Sequence, residues 1–293
     1  RPAPPSVHPS DRRLILTLSL PSLRIAFVGG GNMAAALIGG LLSRGATPGA
    51  LTAIDPSEAQ RSALSARFGI GAVAVADARS LDVDVIVLAV KPQQMHEAVT
   101  AIAPHVGRQL VLSVAAGVRA EDLSRWLHGY RRIVRTMPNT PALVGLGATG
   151  LASLPEVGDA DRRTAAAILG AVGRTVWVDD EALLDAVTAL SGSGPAYVFR
   201  FIEALIDGGV ALGLSADQSR QLALQTVLGA AQLAATSDEP PAVLRERVTS
   251  KGGTTAAALA VMAERDLAAL VTDAMRAAHH RSEALGREFG GGN

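Results

Sequence analysis

From Arg24 onward, short apolar runs alternate with stretches whose apolar residues recur every three or four positions. RIAFVGG, LTAID and VDVIVLAV are β-rich runs, and the last of them, Val83–Val90, is apolar almost throughout, as a strand buried on both faces requires. QLVLSVAAG, RRIVRTMP, GATGLAS and TVWVDD continue the series. Between these runs, NMAAALIGGLLSRG, SEAQRSALSARFG, RAEDLSRWLHG and DADRRTAAAILGAVG carry helical spacing. Such alternation predicts a parallel, doubly wound sheet over residues 24–180. Beyond Asp180 no β-rich run of strand length stands out. EALLDAVTAL, AYVFRFIEALIDGGVALGL, ADQSRQLALQTVLGAAQLAATS and one long alanine-rich run from Thr254 to Phe289 all read as helix. The pattern therefore predicts an α/β domain followed by an all-α domain over 181–293. Helices this apolar carry more surface than one small bundle can bury, which predicts a homo-oligomer formed through the C-terminal half.

Composition narrows the function classes. The 293 residues are enough for two domains with ample core. Hydrophobic residues at 48% against charged ones at 18% describe a globular chain, not a disordered one. Lys+Arg and Asp+Glu are both 27, so the net charge is zero and the basic footprint of a nucleic-acid binder is missing. The chain has no cysteine, which excludes disulfides, thiolate nucleophiles and cysteine metal sites. The His279–His280 pair lacks H-E-x-x-H spacing and reads as a solvated helix face, so no metal is expected. No run reaches the roughly 18 apolar residues of a transmembrane helix, and no membrane partner is expected. LILTLSL (Leu14–Leu20) behind the Pro-rich start is short for a signal core and lacks a clear cleavage site. Residues 1–23 read as a loose extension and the protein as cytoplasmic.

Two glycine loops carry the candidate chemistry. FVGGGNMAAA contains G-x-G-x-x-A at Gly29, Gly31 and Ala34, after a strand and at the opening of a helix. That is the dinucleotide-binding context: a tight turn, close approach of backbone to a pyrophosphate, and close packing of helix on strand. The next strand ends at Asp55. An acid there accepts hydrogen bonds from the ribose hydroxyl of NADH and repels the 2′-phosphate of NADPH, while Ser57 and Arg61 stand near enough to offset the repulsion. Asp55-Pro56-Ser57 reads equally as a helix start. Further along, AVKPQQ (Ala89–Gln94), SVAAGV (Ser113–Val118) and RTMPNTPALVG, with Asn139 in a rigid loop between prolines, all follow expected strands. Strand ends of this kind line one crevice in an open α/β sheet. The second loop, VTSKGGTTAAAL (Val248–Leu259), is not a P-loop, because Lys251 precedes the glycine pair instead of following a spaced one. It suits a small anion at a helix start.

Taken together, FVGGGNMA, LAVKPQ, SVAAGV, RTMPNTPA, LSGSGPAY and VTSKGGTTAAAL resemble the pyrroline-5-carboxylate reductase family, in order along nearly the whole chain. The resemblance implies a Rossmann-type N-terminal domain and an all-α C-terminal dimerisation domain whose helices interleave between two subunits. Dimers of the family often assemble further into decamers. Its active site lies between the cofactor domain of one subunit and the helical domains of the dimer. The implied cofactor is NADPH or NADH, held by Gly29, Gly31, Asn32, Met33, Asp55, Ala89, Val90, Lys91, Pro92, Ala115, Ala116, Gly117 and Asn139. The implied substrate residues are Ser191, Ser193, Ser250, Gly253, Thr254 and Thr255. Gly253 and Thr254 would offer N–H groups to the substrate carboxylate, and the Thr255 hydroxyl would face the ring nitrogen as the catalytic group. Asp238 matches a position usually acidic in the family. Three features depart from the pattern: Lys251 stands where proline is common, Asp55 stands where a neutral residue often meets the 2′-phosphate, and residues 1–23 precede the family's usual start.

The implied reaction moves a hydride to the carbon of a C=N bond, and a protonated imine needs no strong general acid. This agrees with a sequence in which no catalytic histidine is evident. A β-hydroxyacid dehydrogenase or another imine reductase is one rival. The dehydrogenases typically place a lysine on the long inter-domain helix, whereas here the lysines are Lys91 and Lys251, neither on that helix. A non-catalytic dinucleotide-binding regulator is the other; it would not need the Gly253–Thr255 loop.

Overall fold

The structure is a computed structural model and describes residues 22–290. The described residues form two compact units, one of 22–187 together with 283–290, the other Thr188–Ser282. The sequence reading sets the boundary near 180 and keeps the C-terminus in the helical part. Here the α/β unit runs on to Val187, and the last helix returns to it.

The first unit is built on an eight-stranded sheet. In chain order it contains β1 (Ile25–Val28), α1 (Asn32–Ser43), β2 (Leu51–Ile54), α2 (Glu58–Phe68), β3 (Gly71–Val73), β4 (Val85–Leu88), α3 (Met95–Ile102), β5 (Leu110–Ser113), α4 (Ala120–Trp126), β6 (Ile133–Met137), β7 (Gly147–Ser153), α5 (Asp159–Gly170), β8 (Gly173–Trp177) and α6 (Leu183–Val187). The strand order is β3-β2-β1-β4-β5-β6-β7-β8. Every residue of β1, β4 and β5 is buried, as expected for strands covered by helices on both faces. On α1 the buried residues are Ala34, Leu37, Ile38 and Leu41, one stripe at helical spacing. Full burial of each large one contributes roughly 2 kcal/mol.

Two strands depart from the expected parallel sheet: β7 pairs with β6 antiparallel, and β8 pairs parallel with β7, so both run opposite to the other six. The segment between β6 and β7, Pro138–Leu146, forms only a 3₁₀ turn at Thr140–Val144. Without a crossover helix the chain cannot return to start a parallel neighbour. Near this end of the sheet, Arg135 on β6 is 1% exposed and its guanidinium donates to Glu181 Oε1 at 3.1 Å. Burial pushes the Arg135 pKa down, and the Glu181 carboxylate acts against that.

The second unit holds α7 (Gly194–Ala211), α8 (Ala216–Thr236), α9 (Pro241–Arg247), α10 (Thr254–Glu264) and most of α11 (Leu267–Gly290). Ser215 and Gln218 form a reciprocal capping box that starts α8. Gly209 lets α7 approach α8 closely, since a Cβ there would lie 2.7 Å from Ser219 Oγ. The run from Thr254, read from sequence as one helix, breaks at Asp266. That residue has φ +48°, and its Oδ1 accepts the Ala269 N–H at 3.1 Å, so it starts α11 as a side-chain cap. No helix of the described residues is long and apolar enough to cross a membrane.

Candidate active site

In the sheet order, β1 lies between β2 and β4, so the chain leaves β1 to one side and returns to its other side. The carboxyl ends of β1 and β4 therefore flank the switch point at which doubly wound sheets bind ligands. Gly29 follows β1 there with φ +98°. A Cβ on it would lie 2.7 Å from both the carbonyl carbon and oxygen of Ala89, so only glycine fits. The Gly29 N–H donates to Ile54 O at 2.8 Å, and the Ala89 N–H to Val28 O at 2.7 Å. These bonds tie the turn to the ends of β2 and β4.

Gly31 is the N-cap of α1 and provides no side-chain cap. A Cβ on it would meet nothing within 4 Å. Open space thus faces the first-turn N–H groups of Asn32, Met33 and Ala34, which helix geometry leaves without intrahelical acceptors. Ala34 is fully buried and lets α1 sit against the sheet. A pyrophosphate fits this cradle on three counts: room, unpaired donors and the positive end of a helix dipole.

Asp55 directs both carboxylate oxygens at backbone. Its Oδ2 accepts the Gly30 N–H at 2.7 Å and its Oδ1 accepts the Ser57 N–H at 2.8 Å. The cap of α2 is Ser57, whose Oγ accepts from Gln60 N–H, so the helix-start reading of this tripeptide holds with Ser57 as the cap. Arg61 donates through one guanidinium nitrogen to the carbonyls of Asp55 and Pro56, both at 2.8 Å. Asp55 is only partly buried, and each oxygen retains a lone pair for a ribose hydroxyl. Gly30 is a contributor that the glycine pattern does not mark. Its part depends on the sheet setting the β1 turn beside the end of β2.

The remaining cofactor candidates occupy neighbouring strand ends. Ala89 and Val90 are half-buried after β4, Lys91 is exposed, and Pro92 opens a 3₁₀ turn. After β5 come Ala115 and Gly117, both buried, and Ala116, half-buried; Gly117 has φ +81°. Asn139, after β6, is buried, and its Oδ1 accepts the Ala148 N–H at 2.8 Å. That bond braces the loop between β6 and β7. The structure gathers all these residues at the carboxyl ends of β1, β2, β4, β5 and β6.

The substrate candidates lie in the second unit, in two segments. Ser191 belongs to a turn of π-helix, Thr188–Gly192, and Ser193 is the N-cap of α7, with Pro195 in its first turn. The Ser193 N–H donates to Thr188 O at 2.8 Å, closing the wide turn. LSGSGPAY is thus a helix restarted at Pro195, and π turns recur at functional sites. Ser250 and Gly253 belong to the turn before α10. The Gly253 N–H donates to Ser250 O at 3.0 Å, and Ser250 Oγ occupies the space a Gly253 Cβ would need. Gly252, with φ +73°, reverses the chain. Gly253 then caps α10 without a side-chain acceptor, so the N–H groups open to an anion are those of Thr254, Thr255 and Ala256. Lys251 is exposed at the tip.

A glycine turn at a topological switch point, in a chain that also carries a separate helical unit, is a plan of dinucleotide-dependent oxidoreductases. Comparison with known proteins narrows it. Residues 181–285 match the family described as pyrroline-5-carboxylate reductase dimerisation, and residues 24–117 match that described as NADP oxidoreductase, coenzyme F420-dependent. The pyrroline-5-carboxylate reductase of Pseudomonas aeruginosa is 47% identical over 91% of this chain and 98% of its own. That of Arabidopsis thaliana is 38% identical over 92% and 98%. Among solved structures, the Coxiella burnetii pyrroline-5-carboxylate reductase superposes with a TM-score of 0.85 at 38% identity, over 90% of this chain and 98% of that one. The Plasmodium falciparum pyrroline carboxylate reductase, solved with NADP bound, gives 0.80 at 31% identity, over 91% and 99%. The chain belongs to the pyrroline-5-carboxylate reductase family.

Proposed function

We propose that this chain reduces the C=N bond of 1-pyrroline-5-carboxylate to give L-proline, the last step of proline biosynthesis, with NADPH or NADH as reductant. The observation that carries the reading is the presence, in one chain of this family, of both the Gly29–Gly31 cradle and the uncapped start of α10. The bound dinucleotide supplies the hydride, which goes to the imine carbon while a proton ends on the ring nitrogen. This chain's residues hold the reactants. Room at Gly31 and the α1 donors receive the pyrophosphate, and the small residues at Ala89–Val90 and Ala115–Gly117 admit a flat ring. The Thr254, Thr255 and Ala256 N–H groups receive the carboxylate, with the dipole of α10 adding to the attraction. The Gly253 N–H, bonded within its turn, holds the loop in shape instead. The Thr255 hydroxyl holds the ring nitrogen and relays its proton. Ser191, in the π turn, and Ser193, at the start of α7, line the substrate. Little side-chain acid chemistry is required, so proximity and fixed geometry supply most of the acceleration.

Thr255→Ala is expected to lower kcat/KM for the imine by roughly 10²-fold, the scale of losing one hydrogen bond formed in the transition state, and to leave dinucleotide affinity unchanged. A wild-type kcat/KM would remove Thr255 from the mechanism.

The partner in this reading is a second copy of the chain, docked through the C-terminal helices, with further assembly to a decamer in line with the family's habit. Phe199, Leu228, Leu233 and Leu270 on those helices are 58–67% exposed. An open apolar groove of about 910 Å³, lined in part by Leu259, Met262, Leu267 and Val271, lies among α9, α10 and α11. Both support a face covered by protein.

A further inference from the structure

The loop after β5, Val114–Val118, is gripped from outside the sheet by the end of the chain. Gly117 takes φ +81°, and a Cβ on it would lie 3.2 Å from Leu285 Cβ and 3.2 Å from Phe289 Cδ2. The last turns of α11 therefore press on the loop at its left-handed residue. One turn position between them is also glycine. A Cβ on Gly286 would lie 3.3 Å from Gly117 O and 3.3 Å from Arg119 Nε. The Arg119 guanidinium continues to Asp185 at 2.6 Å, where Asp185 is buried. Next along the chain, the Ala120 N–H donates to Glu181 Oε1 at 2.8 Å, the carboxylate that also holds Arg135. The far end of α11 is fixed too: Arg125 donates to Gly290 O at 2.8 Å and pairs with Asp122 at 2.8 Å. A cation on the final carbonyls of a helix is the favourable arrangement for its dipole.

A helix end held at three points would be an expensive way to cover a surface loop that did nothing. Phe289 lies half-buried against the core, and its ring meets Gly117 at the one residue of the loop whose backbone must turn. We propose that Phe289, with Leu285 beside it, is a positioning residue for the dinucleotide: it fixes the Ala115–Gly117 backbone in the shape that accepts the cofactor ring. This rests on the reading of Ala115–Gly117 as a cofactor loop. Both side chains belong to the same unit as the Ala115–Gly117 loop, so the effect belongs to cofactor binding and not to the imine.

The test is a fluorescence titration of the full-length protein with NADPH and with NADH, together with steady-state kinetics, for wild type, Phe289→Ala and Phe289→Leu. Melting curves without nucleotide verify folding. Expected for Phe289→Ala is a rise of about tenfold in dinucleotide Kd and KM, the scale of a loop displaced by a fraction of an ångström, with the KM for the imine unchanged. Phe289→Leu keeps part of the contact and should fall between. If the alanine variant does not fold, the leucine variant decides: a raised Kd with an unchanged imine KM supports the proposal. A wild-type Kd in either folded variant, or equal rises in both KM values, overturns it. Should wild type itself bind neither nucleotide, the reading of the loop fails, a result distinct from wild-type binding that the variants leave unaltered.

Discussion

In the proposed function, Asp55 is the residue on which cofactor choice turns. Its two oxygens are drawn to the Gly30 and Ser57 N–H groups, which fix the charge at the end of β2 beside the glycine turn. Arg61 lies over the same corner but directs its guanidinium to the carbonyls of Asp55 and Pro56. In the proposed function the carboxylate would meet the adenosine ribose and oppose a 2′-phosphate. Asp55→Asn should raise the ratio of kcat/KM for NADPH over that for NADH by roughly tenfold, as removal of a like charge a few ångströms away predicts. It should also lower stability by about 2 kcal/mol, because asparagine keeps one acceptor oxygen for two N–H groups and turns an NH2 donor toward the other. An unchanged ratio in steady-state assays would mean that the carboxylate serves the turn alone. Most of this site is legible in the sequence, since Gly29, Gly31 and Asp55 stand at pattern positions. Gly30 and the contact of Phe289 with Gly117 are not. They arise from pairings across 25 and more than 170 residues, and no local pattern reports them.

The elements were legible where burial dictates the pattern. β1 and β4 are apolar throughout, and β5 up to Ser113, because both faces are covered, and α1 shows its stripe because one face is. Legibility fails where geometry depends on a single residue or on an edge. β3 is a three-residue edge strand with exposed ends and has too few apolar positions to mark it. β7 reads correctly as a strand, but its direction is set by the lack of a crossover helix before it, not by its own side chains. The long C-terminal run keeps helical spacing through Arg265 and Asp266, so periodicity cannot reveal the break. What reveals it is Asp266 itself, an acid that tolerates a left-handed backbone and caps the helix it starts. The same limit holds at LSGSGPAY, where the glycines and Pro195 announce an interruption but not that it is a π turn.

At the scale of the whole molecule the two units differ in how far they bury themselves. The α/β unit contains nearly all of the fully buried hydrophobic residues, whereas α7 and α10 have no buried residue. Residues 181–285 match a dimerisation family, and in the proposed function a second copy of the chain covers those helices. Sedimentation velocity should show a dimer or a larger assembly at micromolar concentration, and Leu270→Glu, which sets a charge on a face 65% exposed here, should weaken it with little effect on dinucleotide affinity. A wild-type monomer would leave the apolar helices unexplained. The claim on which the whole account rests is catalytic, and steady-state oxidation of NADPH and NADH in parallel, with 1-pyrroline-5-carboxylate as substrate, tests it most directly. The account predicts turnover to proline with at least one of the two. Tight binding of either nucleotide with no turnover of this imine would contradict it.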